Sequence, residues 1–234
     1  IGFSIYSRNC RNDFIMMKKL LLILFCLPMV GFGQTLIPDA NFEQALINLG
    51  YDTGNPNGSV PTANINTVTS LNVNSENIAD LTGVEDFTSL TVLRCNSNQL
   101  TSLDISQNSS LIELWCMSNQ LPFLDVSQNT NLISLATSNN QLISLDVSNN
   151  IALQTLGCGQ NQLTSLDVTQ NTALTNLSCG NNQLTSLDLS QNLDLFSLEC
   201  SDNQLTVLDV SIHTYLNELS CGQNQLTGLD VTQN

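Results

Sequence analysis

Beyond residue 19 the sequence contains no lysine, and Arg94 is its only arginine. Across 34–234 that one cation faces nineteen carboxylate side chains, a net charge near −18 with His213 neutral. A polyanion is repelled by nucleic acid phosphates and by anionic membranes, so neither is expected as a partner. Histidine and tryptophan occur once each, as His213 and Trp115, and aromatic residues make up 5% of the chain. No C-x-x-C pair is present, and no nucleophile–base pair or metal cluster stands outside the repeat pattern described below. An enzyme is therefore not expected, and neither is a resident cofactor.

Long apolar runs are also missing. The one candidate, Leu20 to Val30, is broken by Pro28 and is too short to cross ~30 Å of hydrocarbon at 1.5 Å per helical residue. Lys18 and Lys19 before it, and Gly31-Phe32-Gly33 after it, make residues 1–33 read as upstream residues plus a signal peptide. Cys26 follows Phe25 rather than a small residue, which argues against a lipoprotein site. The expectation is export, to the medium or to the cell surface, with no membrane insertion.

What the chain has in abundance is one sentence. From Leu90 onward, L-x-x-L-x-C-x-x-N-Q-L-x-x-L-D-V-x-x-N-x-x recurs seven times, with its first leucine at 90, 111, 132, 153, 174, 195 and 216. There are no insertions, and the last copy stops two residues short. A fixed period in the twenties is the mark of a solenoid, in which each coil buries its apolar edge only against its neighbours. A 22-residue degenerate coil, 68–89, precedes the array with Val68, Leu71, Val73, Ile78, Leu81, Val84 and Phe87 at the leucine positions. Residues 34–67 hold the one helical pattern, 38–50, with Phe42, Leu46 and Leu49 on one face, Asp39 as N-cap and Gly50 as terminator. That helix is expected to cap the exposed end of the first coil, with 51–62 as loop.

Each unit also repeats within itself. Leu90-x-x-Leu93-x-Cys95-x-x-Asn98 is echoed ten residues on by Leu100-x-x-Leu103-x-Ile105-x-x-Asn108. Both halves alternate as short strands do. The expected fold is a mainly β solenoid with parallel sheets on two faces and an N-terminal α-helical cap.

These motifs resemble the leucine-rich repeat superfamily, and the nested form is similar to its IRREKO class. Ile37-Pro38-Asp39-Ala40-Asn41-Phe42-Glu43-Gln44-Ala45-Leu46, with Leu81-Thr82-Gly83-Val84-Glu85-Asp86-Phe87, resembles secreted leucine-rich repeat proteins of Bacteroidetes-type bacteria. The resemblance implies an exported interaction or adhesion protein, often followed by a C-terminal sorting domain for type IX secretion.

Three ladders run along the array. Cys95, Cys116, Cys158, Cys179, Cys200 and Cys221 share one inward position, with Thr137 in its place in the third copy, and read as buried free thiols serving as small hydrophobes. Asn98 and its equivalents read as turn scaffold. Asp104, Asp125, Asp146, Asp167, Asp188, Asp209 and Asp230 hold an outward position. Carboxylates ~4.8 Å apart repel by ~1 kcal/mol in water, so something must offset them: turn amides and hydroxyls in one reading, bound calcium in the other. The loop 52–58 resembles calcium loops but carries Gly54 and Pro56 at ligand positions, so a plain turn-rich loop is expected.

The outward positions of the first strand vary from copy to copy: Val92/Arg94, Glu113/Trp115, Ser134/Ala136, Thr155/Gly157, Asn176/Ser178, Ser197/Glu199 and Glu218/Ser220. Variation concentrated on one face of a repeating scaffold is where recognition can be encoded. Arg94, Glu113, Trp115 and Met117, with Glu199, Asp202 and Glu218, are the candidate ligand face for a protein or glycan. The competing reading is a passive spacer or stalk whose functional domain lies beyond residue 234. His213 replaces the terminal asparagine of its copy and has no partner for catalysis.

Overall fold

A computed structural model describes residues 33–234. The expected leader lies outside the described residues, apart from Gly33. The chain opens with β1 (Gln34–Leu36), α1 (Ala40–Asn48), β2 (Ser59–Pro61) and the short helix α2 (Thr62–Ile65). Within α1, Asp39 is the N-cap, its Oδ1 accepting from the N–H groups of Asn41 and Phe42, while Gly50 sits at φ 83°. Both match the residue preferences at helix ends. The loop expected over 51–62 is partly ordered: β2 pairs antiparallel with β1, and α2 follows at once. Sequence patterning missed these elements because three residues are too few to show a period.

The solenoid is carried by β3 (Ser70–Asn72), β4 (Val92–Arg94), β5 (Glu113–Trp115), β6 (Ser134–Ala136), β7 (Thr155–Gly157), β8 (Asn176–Ser178), β9 (Ser197–Glu199) and β10 (Glu218–Ser220). They form one parallel sheet in chain order, and the central leucine of each strand is in register with the next, from Leu71 and Leu93 through to Leu219. A constant repeat length leaves no other register. Each coil from Leu90 on delivers Leu, Leu and Cys or Thr to the interior, and the first coil Val68, Leu71 and Val73, so one continuous core runs through the stack and includes Phe42, Ala45 and Leu46 of α1. Phe42 stacks on Phe87 with ring centroids 6.4 Å apart.

The second parallel sheet does not form. Among the described residues the only other sheet is the β1–β2 pair. The Leu-x-Ile half of each coil is buried as expected, but its backbone folds into tight turns. Asp104 Oδ1 accepts from Ser106 N–H, Asn108 N–H reaches the Ile105 carbonyl, and Leu111 N–H reaches Asn108. Groups spent on these local bonds are not left for a ladder. The coils are stitched here by side chains instead. Asn129 Nδ2 donates to the carbonyls of Ile105 and Asn108 in the preceding coil, and Asn150, Asn171 and Asn192 repeat the pattern. Alternation alone could not distinguish a paired strand from an extended segment held by amides.

Asn98 and its equivalents do what the repeat implied. Asn182 Nδ2 donates to the Cys158 and Cys179 carbonyls, and its Oδ1 accepts from Leu163 N–H. The residue just before it, Asn181, is left-handed at φ 55°, as are Ser97, Ser118, Asn139, Gln160, Asp202 and Gln223 in the other coils. Polar residues with small or flexible side chains dominate there, a conformation that Asn and Asp tolerate better than β-branched residues do.

Candidate functional site

The sheet presents two rows of side chains outward. One runs Val92, Glu113, Ser134, Thr155, Asn176, Ser197, Glu218, and the other Arg94, Trp115, Ala136, Gly157, Ser178, Glu199, Ser220. Neighbours within a row lie ~4.8 Å apart, the spacing of paired strands.

At the N-terminal end the structure brings four expected residues together. Arg94 lies over the Trp115 ring, its guanidinium carbon 4.3 Å from the centroid, and its Nε is 2.6 Å from Glu113 Oε1. Trp115 Nε1 donates to Ser134 Oγ, and Met117 stands beside the ring on the same face. The sole cation of the described residues is thus neutralised by Glu113 and stacked on a half-buried indole.

Beyond Trp115 the row drops to Ala136, Gly157 and Ser178, then rises at Glu199. Together with Ser134, Thr155, Asn176 and Ser197 these residues line a shallow trough of about 340 Å³. Glu199 is fixed in place: Oε2 accepts from Ser178 Oγ and Gly180 N–H, both at 3.0 Å, and Oε1 accepts from Ser201 N–H. Gly180 makes this possible, because a Cβ there would lie 2.2 Å from the Glu199 carboxylate. The sequence reading named the two ends of the trough and missed its floor. The available signal was three small residues in succession at one repeat position.

The remaining candidates sit elsewhere. Glu218 is exposed on the parallel row and accepts from Ser197 Oγ. Asp202 is not on the sheet: it lies in the turn after β9, left-handed at φ 53°. His213 is buried in the column of Asn108, Asn129, Asn150, Asn171 and Asn192, with Nε2 3.1 Å from the Leu189 carbonyl. It serves the stack as those asparagines do.

The aspartate row is exposed, and each member closes its own turn. Oδ1 of Asp167 accepts from both the hydroxyl and the N–H of Thr169. The Thr169 hydroxyl first, and then its N–H, hold the Asp167 carboxyl below its ordinary value against the field of Asp146. Among the described residues no three His, Cys, Asp or Glu side chains converge as a metal site. The loop 52–58 is held from within by Glu43, a buried carboxylate that accepts from the N–H groups of Asn57 and Gly58.

The cysteine ladder is a row of free thiols, buried at Cys95, Cys116, Cys158, Cys179 and Cys200 and half-buried at Cys221. Burial pushes Cys116, Cys158 and Cys200 up to about 12, so at neutral pH they are protonated and poor nucleophiles. In the copy that lacks cysteine, Thr137 donates its hydroxyl to the Gly157 carbonyl.

No family model matches the chain. A 43-residue stretch, 18% of this chain and 5% of the relative, is 51% identical to internalin J of Listeria monocytogenes. The solved functional domain of the same protein, InlJ, described as including a cysteine ladder, is 36% identical with a TM-score of 0.69. That match covers 86% of this chain and 50% of the domain. A leucine-rich repeat protein of Leptospira interrogans is 25% identical over 74% of this chain and 47% of its own, with a TM-score of 0.63. Internalin C2 of L. monocytogenes shares the fold at 24% identity and a TM-score of 0.73, over 85% of this chain and 89% of its own. The chain is a leucine-rich repeat protein similar to these. It spans about half the length of the internalin J domain it matches. Among the described residues, no helix of this leucine-rich repeat protein is long and apolar enough to cross a membrane.

Proposed function

We propose that the chain is a non-enzymatic, exported binding or adhesion module that engages a protein or glycan through the outward face of its parallel sheet, with α1 closing the first coil. The observation that carries this reading is the trough itself. On a scaffold whose buried, turn and ladder positions repeat, the sheet face holds a stacked tryptophan, a floor of small residues and a fixed carboxylate. No hydrogen bond of the coil requires Trp115 at its position, and Ala136 and Gly157 serve the next two coils equally well. Export rests on the leader-like residues 1–33 and on the likeness to the internalins.

The test uses arrays of immobilised proteins and glycans probed with the chain and with Trp115→Ala and Gly157→Arg variants. A Cβ at Gly157 meets only ordinary contacts, the nearest at 3.6 Å, so an arginine there fills the trough without disturbing the coil. Binding that both substitutions abolish supports the sheet face. Binding that survives them moves the site elsewhere, and the absence of any binding favours a spacer. The aspartate row, the same in every coil, is the kind of feature a spacer would show on every side.

A further inference from the structure

The row through Trp115 offers different chemistry at its two ends and very little between them. Trp115 and Met117 give an apolar wall, and Glu199 gives an anion held by three donors with no cationic partner among the described residues. Four strand steps separate them, roughly 19 Å. The floor of Ala136, Gly157 and Ser178 lets a chain lie flat, and Ser134, Thr155, Asn176 and Ser197 line one side with neutral donors and acceptors. We infer that this trough takes an extended cationic segment of a partner polypeptide, lying across the strands with an apolar side chain against Trp115 and Met117 and an arginine or lysine at Glu199. The inference rests on the reading of the sheet face as the binding surface and adds the chemistry of what binds there.

Charge decides the class. Arg94 is committed to Glu113 and to the indole, so the face has no free cation to receive an anionic ligand. Glu199 is positioned by neutral donors that leave one acceptor site on Oε1 for a charged hydrogen bond, the kind that favours a guanidinium or ammonium. A chain with one cation against nineteen carboxylates also draws basic segments toward it. Length decides the form. An extended peptide advances ~3.3 Å per residue, so six steps, about 20 Å, join the two ends.

The test is fluorescence polarisation with labelled synthetic heptapeptides at physiological ionic strength. One carries leucine first and arginine last with five serines between, a second places leucine and arginine adjacent, and a third ends in glutamate. The expected order has the spaced leucine–arginine peptide binding about tenfold tighter than either of the others. Glu199→Gln and Trp115→Ala are each expected to lower its affinity about tenfold. Asp209→Asn, which removes the same charge from the turn row, changes it less than twofold. Equal losses in Glu199→Gln and Asp209→Asn would reduce the effect to general charge attraction and overturn the inference, as would equal binding of the spaced and adjacent peptides or no peptide binding. Neutral oligosaccharides occupying the trough regardless of Glu199→Gln would overturn it in favour of a glycan. The two readings fail separately. If array binding is lost in Gly157→Arg but indifferent to Glu199→Gln, the sheet face stands and the cationic segment falls; indifference to both removes the sheet face itself.

Discussion

The two outward surfaces of each coil are built from the same repeat and treated in opposite ways. On the turn side, one aspartate recurs in all seven copies, and each carboxylate is used within its own coil by the residue two positions on. On the sheet side, the outward positions run from tryptophan to glycine, and the backbone bonds of the strands are indifferent to the change. A row that stays constant does so because the fold needs it at every step. A row that varies is free to be selected for something else. Glu199 shows the boundary, since it varies from its equivalents yet draws Ser178, Gly180 and Ser201 into holding it.

The sharpest way to break that comparison is to damage the ladders. Asn182→Ala should be the costliest single change, about 2–3 kcal/mol, because it strands the Leu163 N–H and removes one of the two asparagine donors at each of the Cys158 and Cys179 carbonyls. Asn171→Ala removes two bonds rather than a full set and should cost about half as much. Urea unfolding of both variants checks the order, and a reversed order would mean that the turn-side amides are the main stitch between coils.

Next comes Asp39. Its Oδ1 caps α1 and its Oδ2 accepts from Ala79 and Asp80 N–H, tying the helix to the first coil. Asp39→Ala should cost about 1–2 kcal/mol. Burial pushes this carboxyl up, but the four N–H groups outweigh it and hold the value below the ordinary range. A carboxyl depressed in the folded state stabilises fully above its unfolded value, near 3.8, and that stabilisation is lost as pH falls through the folded value. Stability should therefore fall in acid below pH ~4, more steeply in the parent than in Asp39→Ala.

The thiols give a smaller, local readout. Labelling of the native protein should reach Cys221 and leave Cys95, Cys116, Cys158, Cys179 and Cys200 untouched until denaturation. Reductant should not alter the melting temperature, and a loss of stability on reduction would show bridges along the ladder.

The smallest effect belongs to the turn row. In Asp167→Asn the remaining oxygen still accepts from Thr169 while the charge disappears, so a slight destabilisation is expected, within the scatter of surface substitutions. Calcium and sodium at matched ionic strength should raise the melting temperature equally, as screening alone requires. A larger shift with calcium would show ions bound along the row.

Periodicity carried most of the fold. Leucines every 21 residues with an inward cysteine could only stack in register, and Asp39 and Gly50 bounded the helix because caps have local chemistry. The site was legible in part. Arg94, Glu113, Trp115 and Met117 stood out by type and position and do lie together, whereas Asp202, three residues past Glu199, turns away at a left-handed backbone. The trough floor was hidden because Ala136, Gly157 and Ser178 are notable only for what they do not contribute.

Sequence by itself determined the period, the register, the buried ladders and the face on which variation collects, because each follows from a repeat of constant length with an alternating pattern. Tertiary structure decided that one sheet forms rather than two, that Gly180 makes room for Glu199, and that Arg94 is spent on Glu113 and Trp115. Those outcomes depend on which hydrogen-bonding groups and side chains meet across coils 21 residues apart, and a pattern read along one coil contains no such distances.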